Sequence, residues 1–165
     1  MMREEELSQV ASLFSASWRR TYPGMVPHEF LAGLSPEKAC EMWSGYLKTP
    51  GNFIMVARSE GKVAGMVAAQ PEYDLFEAGY VAALHVAPGF KGKGTGKKLL
   101  GAAARHMLKQ GVNRLALAVI DGNNTALGIY QHLGAKIVGR RKMNEGFISS
   151  DYVLLFEDTG NLCRF

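Results

Sequence analysis

The stretch that decides the fold is residues 79–101, GYVAALHVAPGFKGKGTGKKLLG. Its first part, residues 81–87, is a short apolar run closed by Pro88, which predicts a buried strand. A turn rich in glycine and lysine follows, and from Gly96 onward the apolar residues recur at helical spacing. Where a strand, a glycine turn and a helix follow in this order, backbone amides converge at the positive end of the helix dipole. The stretch therefore predicts a binding site for an anion.

The spacing of the glycines excludes two familiar phosphate-binding motifs. A Walker A loop has four residues between its first glycine and Gly-Lys, followed by Ser or Thr. Here three residues separate Gly92 from Gly96-Lys97, and Lys98 follows. A Rossmann fingerprint that begins at Gly92 needs its third glycine at position 97, which is a lysine. A surface turn that binds nothing is the simpler alternative, because glycine motifs also occur by chance.

The pattern that does fit is Val86-x-Pro88-x-x-Lys91-x-x-Gly94-x-Gly96. It resembles the acyl-CoA loop of the GNAT superfamily of N-acetyltransferases, which reads Gln/Arg-x-x-Gly-x-Gly/Ala and holds the CoA pyrophosphate on its amides. This chain has a lysine where the family usually has Gln or Arg. The resemblance implies that acetyl-CoA is the co-substrate and that it is bound by Leu84, Val86, Lys91, Gly92, Lys93, Gly94, Thr95, Gly96 and Lys97.

A second motif follows about thirty residues downstream, in the same kind of context. Residues 115–120 read as a buried strand, and an Asn/Gly turn and a short helix that stops at Gly134 come after it. This resembles the family's Asn-x-x-Ala-x-x-x-Tyr signature, with Asn123, Ala126 and Tyr130 at its positions. The family's next pair is Gly-Phe, and Ala135 replaces the Phe. The resemblance implies cofactor contacts for Asn123 and Ala126, and capping of the helix is the other role open to Asn123.

Acetyl transfer requires a neutral amine, a stabiliser of the oxyanion and an acid for the leaving thiolate. The resemblance implies that Tyr130 is the acid, and the chemistry is suitable. A phenol of pKa near 10 stays protonated at neutral pH and can donate to a thiolate of pKa near 8.5. A free amide at residues 84–86 would face the thioester carbonyl, since the two central strands of the family splay apart there. The alternative for Tyr130 is a tyrosine that packs its ring in the core.

The general base is the point at which the sequence departs most from the family. Members often carry Glu or His eleven residues before the Gln/Arg of the loop, and that position is Tyr80. Tyr80 is therefore the second candidate catalytic residue, although tyrosine is a poor base and the proton then leaves through water or the amine arrives partly neutral. Glu72, Asp74 and Glu77 compete for the role. His85 has a suitable pKa, but its place on an apolar strand favours a packing histidine.

Outside the motifs, the patterns predict the order α-α-α-β-β-β-α-β-α-β-β. This is an α/β (α+β) fold of the GNAT type, a mixed, mostly antiparallel sheet with helices on both faces, in one domain over residues 1–165. Helices are predicted from residue 4, over 28–34 and over 36–48, and strands over 53–58, 62–70, 80–87, 135–141 and 147–156. The family opens with a strand, whereas the helical spacing here begins at Glu4. The first strand is therefore missing or vestigial, and the edge at 53–58 is exposed, covered or paired with another chain.

Composition narrows the class of protein. The net charge is +4, but the excess of basic residues lies mainly at positions 91–98 and 140–142, and no basic stripe with interleaved aromatics predicts a nucleic-acid partner. The two cysteines, Cys40 and Cys163, lie far apart in the sequence, and their spacing indicates neither a disulfide nor a metal site. We find no apolar run of membrane-spanning length and no signal-peptide pattern, so the sequence predicts a cytoplasmic protein without a membrane partner.

The predicted function is therefore transfer of an acetyl group from acetyl-CoA directly to a primary amine. The acceptor is a small molecule or a peptide, and a homodimer is possible. Tyr22, Met25 and Phe30 lie where the family builds its acceptor wall, and residues 71–77 combine three carboxylates with aromatics that suit a cationic amine. The alternative is a sensor or subunit that binds acyl-CoA without turnover, and thiol release with an amine distinguishes the two.

Overall fold

The computed structural model describes residues 1–73, 77–144 and 148–165 of the chain. The elements follow the predicted order, and the α/β class is confirmed. The helices are α1 Leu7–Thr21, α2 His28–Gly33, α3 Pro36–Lys48, α4 Thr95–Leu108 and α5 Asn124–His132. The strands are β1 Phe53–Ser59, β2 Lys62–Tyr73, β3 Ala78–Val86, β4 Leu115–Ile120, β5 Lys136–Asn144 and β6 Ile148–Phe156. Short 3-10 turns occupy Glu4–Glu6, Pro88–Phe90 and Thr159–Leu162.

The strands form one six-stranded sheet in the order β1-β2-β3-β4-β6-β5. Strands β3 and β4 are parallel and the other neighbouring pairs are antiparallel, so the sheet is mixed and mostly antiparallel, as predicted. One face of the sheet packs against α4, whose Leu100 and Met107 are fully buried. The other face packs against α1 and α3, where Phe14 and Trp43 meet at a ring-centroid distance of 5.1 Å. Because the two-layered core fixes β3 and β4 from both sides, it also fixes the site between them.

The N-terminal segment covers the edge at β1. Residues 1–6, all of them described, form no strand, and the helix predicted from Glu4 begins as a 3-10 turn. The Met2 amide donates to the Ile54 carbonyl at 2.8 Å, and the buried Glu6 carboxylate accepts from Arg58 at 2.5 and 2.7 Å. The structure therefore shows the rearranged terminus against this edge, at Ile54 and Arg58.

The residues that follow β6 pack against α4. A Cβ on Gly101 would lie 2.8 Å from the carbonyl oxygen of Leu162, so the helix and the last turn touch backbone to backbone. The Arg105 guanidinium donates to the Cys163 carbonyl at 2.7 Å. Both cysteines are free thiols. Within the described ranges, no helix has the length and apolar character needed to cross a membrane.

Candidate active site

The glycine turn predicted as an anion site lies at the start of α4. Gly92 and Gly94 have φ values of +73° and +77°, in the left-handed region that side chains disfavour. Gly94 is also the N-cap of α4, so no side chain caps the first amides of the helix. Helices leave their first four N–H groups without intrahelical partners, and those at Thr95, Gly96 and Lys97 are therefore suited to an anion.

Strands β3 and β4 separate beside this turn. Their pairing runs over three residue pairs and ends at Val81–Leu117, although the strands continue to Val86 and Ile120. A bulge contributes to the separation: Ala68 pairs with Ala83 and Ala69 with Val81, which leaves Ala82 as an extra residue in β3. Because a bulge bends its strand and increases the twist, the far half of β3 turns away from β4. The splay that the resemblance implied is present.

The gap and the glycine turn open into one cavity of about 1020 Å³. Its lining includes nearly all residues predicted to hold the cofactor, namely Leu84, Val86, Lys91, Gly92, Gly94, Thr95, Gly96, Lys97, Asn123 and Ala126. Lys93 is the exception. It lies in the turn but outside this lining, and its ammonium sits 5.7 Å from the ring centroid of Phe90. The structure therefore brings two separate sequence motifs to the same cavity wall.

Tyr130 lines the cavity from α5. Its ring packs against the α4 face of the core, and its environment raises the pKa of the phenol above the usual 10, through burial first and the nearby Tyr22 second. The phenol is therefore fully protonated at neutral pH. Packing and proton donation are compatible here, because the ring is held by the core while the residue still borders the cavity.

Asn123 is the N-cap of α5, and its side-chain oxygen accepts from the Ala126 amide at 3.3 Å. The same side chain also acts on the Tyr22 phenol, where it partly offsets the rise in pKa that burial causes. Tyr22 follows α1 directly and borders the same cavity, where burial raises the pKa of its phenol. Close packing of Met25 against the turn supports this approach, since a Cβ on Gly122 would lie 3.3 Å from the Met25 Cγ. The sequence placed Tyr22 in the acceptor wall but gave no signal for its link to Asn123.

Tyr80 also lines the cavity, on the face of the sheet away from α4. Its hydroxyl accepts a hydrogen bond from the Arg141 guanidinium, whose carbon lies 5.2 Å from the Tyr80 ring centroid. The Arg141 Nε lies 3.7 Å from the Asp151 carboxylate. No sequence pattern indicated either charged residue, because both are in strands that carry no motif. Arg141 meets Tyr80, and Asp151 meets Arg141, only through strand pairing.

His85 is held as the packing histidine that the sequence favoured. Its Nδ1 lies 2.9 Å from the Ser17 hydroxyl, and its ring meets Phe14 edge-on at 5.2 Å. Burial, reinforced by Lys91, lowers the pKa of the imidazole to about 4, so the ring is neutral at physiological pH. It borders the cavity, but a group of that pKa is a weak proton acceptor.

None of the other candidate bases, Glu72, Asp74 and Glu77, is found in the cavity lining among the residues that the structure describes. Glu77 is exposed, with φ of +48°, and is not among the residues that line it. Asp74 and the side chain of Glu72 lie outside the described residues, as does most of the acidic and aromatic segment 71–77. No group of three potential metal ligands occurs among the residues that are described.

The cavity thus joins the glycine turn at the start of α4, the gap between β3 and β4, and the phenols of Tyr22 and Tyr130. A sequence model of the Acetyltransferase (GNAT) family matches residues 10–135. The chain belongs to this family. Its fold is shared with the PaiA N-acetyltransferase of Thermoplasma acidophilum, whose structure was solved with coenzyme A, at a TM-score of 0.74 and 20% identity over 93% of this chain and 94% of that one.

Curated relatives align over shorter segments. An L-ornithine N5-acetyltransferase of Arabidopsis thaliana is 37% identical over 78 residues, which are 46% of this chain and 34% of that protein. A thialysine N-epsilon-acetyltransferase of Bos taurus is 37% identical over 57 residues, 34% of each chain. The alignments thus span about a third of the length of these relatives.

Proposed function

We propose that the chain is an N-acetyltransferase that moves an acetyl group from acetyl-CoA directly to a primary amine. The observation that carries this proposal is one cavity shared by the glycine turn of α4, the gap between β3 and β4, and the Tyr130 side chain. A phosphate-binding turn alone would suit many ligands. A phosphate-binding turn next to a strand gap with accessible backbone amides suits a ligand that carries both a pyrophosphate and an acyl thioester.

We assign the anionic part of acetyl-CoA to the α4 turn. The amides from Gly94 to Lys97 lie at the helix N-terminus, and Lys91 and Lys97 add positive charge on the same cavity wall. The thioester arm then runs along Leu84 and Val86, where β3 no longer pairs with β4. Its carbonyl would receive an amide hydrogen bond from this segment, which stabilises the negative charge that develops in the transition state.

The proposed chemistry forms a bond from the amine nitrogen to the acetyl carbon and breaks the carbon–sulfur bond. The acceptor enters as the neutral amine, having lost one proton to solvent. Tyr130 gives its proton to the departing sulfur, and the second proton of the nitrogen returns to the phenol through solvent. The products are the N-acetyl compound and the free thiol of CoA. A raised phenol pKa keeps the proton on Tyr130 until the thiolate forms.

We propose that Tyr80 orients the acceptor rather than removes its proton. The Arg141 guanidinium donates to the Tyr80 oxygen, so this oxygen is already an acceptor for a cation and is not a site that attracts a further proton. The relatives named for ornithine and thialysine acetylation make a side-chain amine of an amino acid the first acceptor class to test.

We further propose that residues 1–165 form one domain and that the protein acts in the cytoplasm.

The test uses two measurements on the wild-type protein. Saturating acetyl-CoA at about 100 times its dissociation constant should raise the free energy of unfolding by about 2.7 kcal/mol, visible as a higher Tm. Free thiol is then followed in the presence of a panel of primary amines. A shift in Tm with thiol release supports the enzyme, and a shift without release from any amine supports the sensor or subunit. No shift in Tm refutes both.

A further inference from the structure

Two side chains of opposite charge lie side by side in the part of the cavity near Tyr80, where the amine acceptor is proposed to bind. Asp151 in β6 pairs directly with Arg141 in β5, so the two side chains point to the same face of the sheet. Asp151 is 5% exposed and borders the cavity, and its carboxylate lies 3.7 Å from the Arg141 Nε. Arg141 reaches back across the sheet to the Tyr80 hydroxyl in β3. The Arg141 guanidinium therefore contacts both Tyr80 and Asp151 in the cavity.

The charges along the cavity are unevenly distributed. Lys91 and Lys97 stand at the glycine turn, where the anionic part of acetyl-CoA is proposed to bind. Among the described residues of the lining, Asp151 is the single carboxylate. Arg141 accompanies it, so the two groups form a pair of opposite charges a few ångströms apart, and Arg20 of α1 is a further cation in the described lining.

An apolar and aromatic wall stands beside this pair. Trp18, Tyr22, Met25 and Ile120 pack in one cluster, and all four border the cavity. Ile120 is the strand partner of Asp151, so the wall and the charged pair are adjacent. The negative charge of Asp151 adds to the rise in the pKa of Tyr22 that burial causes, and all of Asp151, Tyr22 and Tyr130 border the cavity.

We infer that Arg141 and Asp151 recognise the carboxylate and the ammonium of an α-amino acid, whose side-chain amine is the group acetylated. The inference rests on the proposed function. An α-amino acid head carries both charges on one carbon, which matches an arginine and an aspartate in contact. The arginine has five N–H donors in a planar fork suited to a carboxylate, and the aspartate accepts from an ammonium. The methylenes of the side chain then follow the apolar wall toward the strand gap.

Other acceptors fit this end of the cavity less well. A simple diamine presents an ammonium to Asp151 but brings a second positive charge near Arg141 without an anion to offset it. A simple monoamine brings neither head group and so gains no contact with the pair. Because a site built for polar groups discriminates strongly against analogues that lack them, the preference for the full head should be large.

Four acceptors that share a primary amine but differ in the head test this inference. L-Ornithine carries both head groups, 1,4-diaminobutane lacks the carboxylate, 5-aminopentanoate lacks the ammonium, and n-butylamine lacks both. The wild-type protein, with saturating acetyl-CoA, should show a kcat/KM for ornithine at least about tenfold above each of the other three. Mass spectrometry should place the acetyl group on the side-chain nitrogen.

Two variants assign the two head groups. Asp151→Asn should remove the preference for ornithine over 5-aminopentanoate, and Arg141→Gln should remove the preference for ornithine over 1,4-diaminobutane. Asp121→Asn is the matched control, because it breaks a different aspartate–arginine pair, the one with Arg140, which does not border the cavity. The control should keep both preferences. A merely structural role of the Asp151–Arg141 pair would instead change Tm and lower all four activities alike.

The outcomes distinguish failure of the head-group inference from failure of the proposed acetyltransferase activity. Wild-type kcat/KM values that are equal for ornithine and n-butylamine refute the head-group inference, whether or not the variants fold, and leave the acetyltransferase in place. Release of CoA thiol with none of the four amines but with another primary amine refutes the inference alone. Release with no amine of the panel, from protein that binds acetyl-CoA, counts against the proposed function and the inference together.

Discussion

Replacing Glu6 with Gln removes the charge that fastens the N-terminal segment to the sheet edge. The Glu6 side chain is 3% exposed and lies 2.5 Å from Arg58 and 2.9 Å from Arg3, whose side chains are 36% and 57% exposed. Removing one partner of a buried ion pair costs about 3–5 kcal/mol, whereas an exposed pair contributes about 0–1 kcal/mol. Since the carboxylate is buried and both guanidiniums reach solvent, we expect a loss of about 1–3 kcal/mol in the free energy of unfolding.

The pH dependence gives the same prediction a second measurement. Hydrogen bonds from Arg58 first, and from Arg3, hold the pKa of Glu6 well below its usual range despite burial. The lowered pKa means that this stabilisation is fully present above the unfolded-state pKa of about 4.3 and is lost as pH falls through the folded-state pKa. The difference between wild type and Glu6→Gln should therefore shrink below about pH 4.

Urea unfolding followed by circular dichroism at pH 7 and pH 3 measures both effects. The matched control is Glu5→Gln, because Glu5 is an adjacent carboxylate that is 68% exposed and forms an ion pair with the exposed Arg3. The control should lose less than about 0.5 kcal/mol at pH 7. A Glu6→Gln protein as stable as the control, or one with the same deficit at both pH values, would refute the reasoning.

Three further predictions concern the cofactor turn, the edge strand and the buried histidine. Gly94→Asp places a carboxylate at the start of α4 and should abolish acetyl-CoA binding by calorimetry, while Gly89→Asp, in the same loop but outside the cavity lining, should bind as wild type does. Amides of residues 53–57 should exchange slowly in a monomeric sample, because the terminus covers them, and faster in Glu6→Gln. The lowered pKa of His85, about 4, should make wild type lose stability as pH falls from about 6.5, and His85→Gln should flatten that loss by about 1–2 kcal/mol in urea titrations.

Much of the fold was predictable because its signals are local. The glycines at 92, 94 and 134 adopt positive φ values, and Asn123 caps its helix, so each turn was readable from one or two residues. The first and last residues of the strands were less predictable. The β2 strand continues to Tyr73, beyond the predicted residue 70, since its pairing with β3 rather than its own pattern sets its length.

The site was predictable only where a motif carried it. The cofactor residues follow one another along the chain, and their spacing identified them. Arg141 reaches Tyr80, and Asp151 reaches Arg141, through the register of strands β4, β5 and β6, and no local pattern predicts a register. The same holds for Glu6 and Arg58, fifty-two residues apart, whose pairing replaces the strand that the family usually has at this edge.

Comparison of Tyr130→Phe with wild type tests the central claim most directly. The substitution keeps the ring and its packing and removes only the hydroxyl. With acetyl-CoA and an accepted amine, wild type should release CoA thiol, while Tyr130→Phe should bind acetyl-CoA with unchanged affinity and turn over roughly ten- to a thousandfold more slowly, near the range for loss of a general acid. Turnover of Tyr130→Phe at the wild-type rate, with chemistry shown to be rate-limiting, would contradict the account and leave Tyr130 as a packing residue.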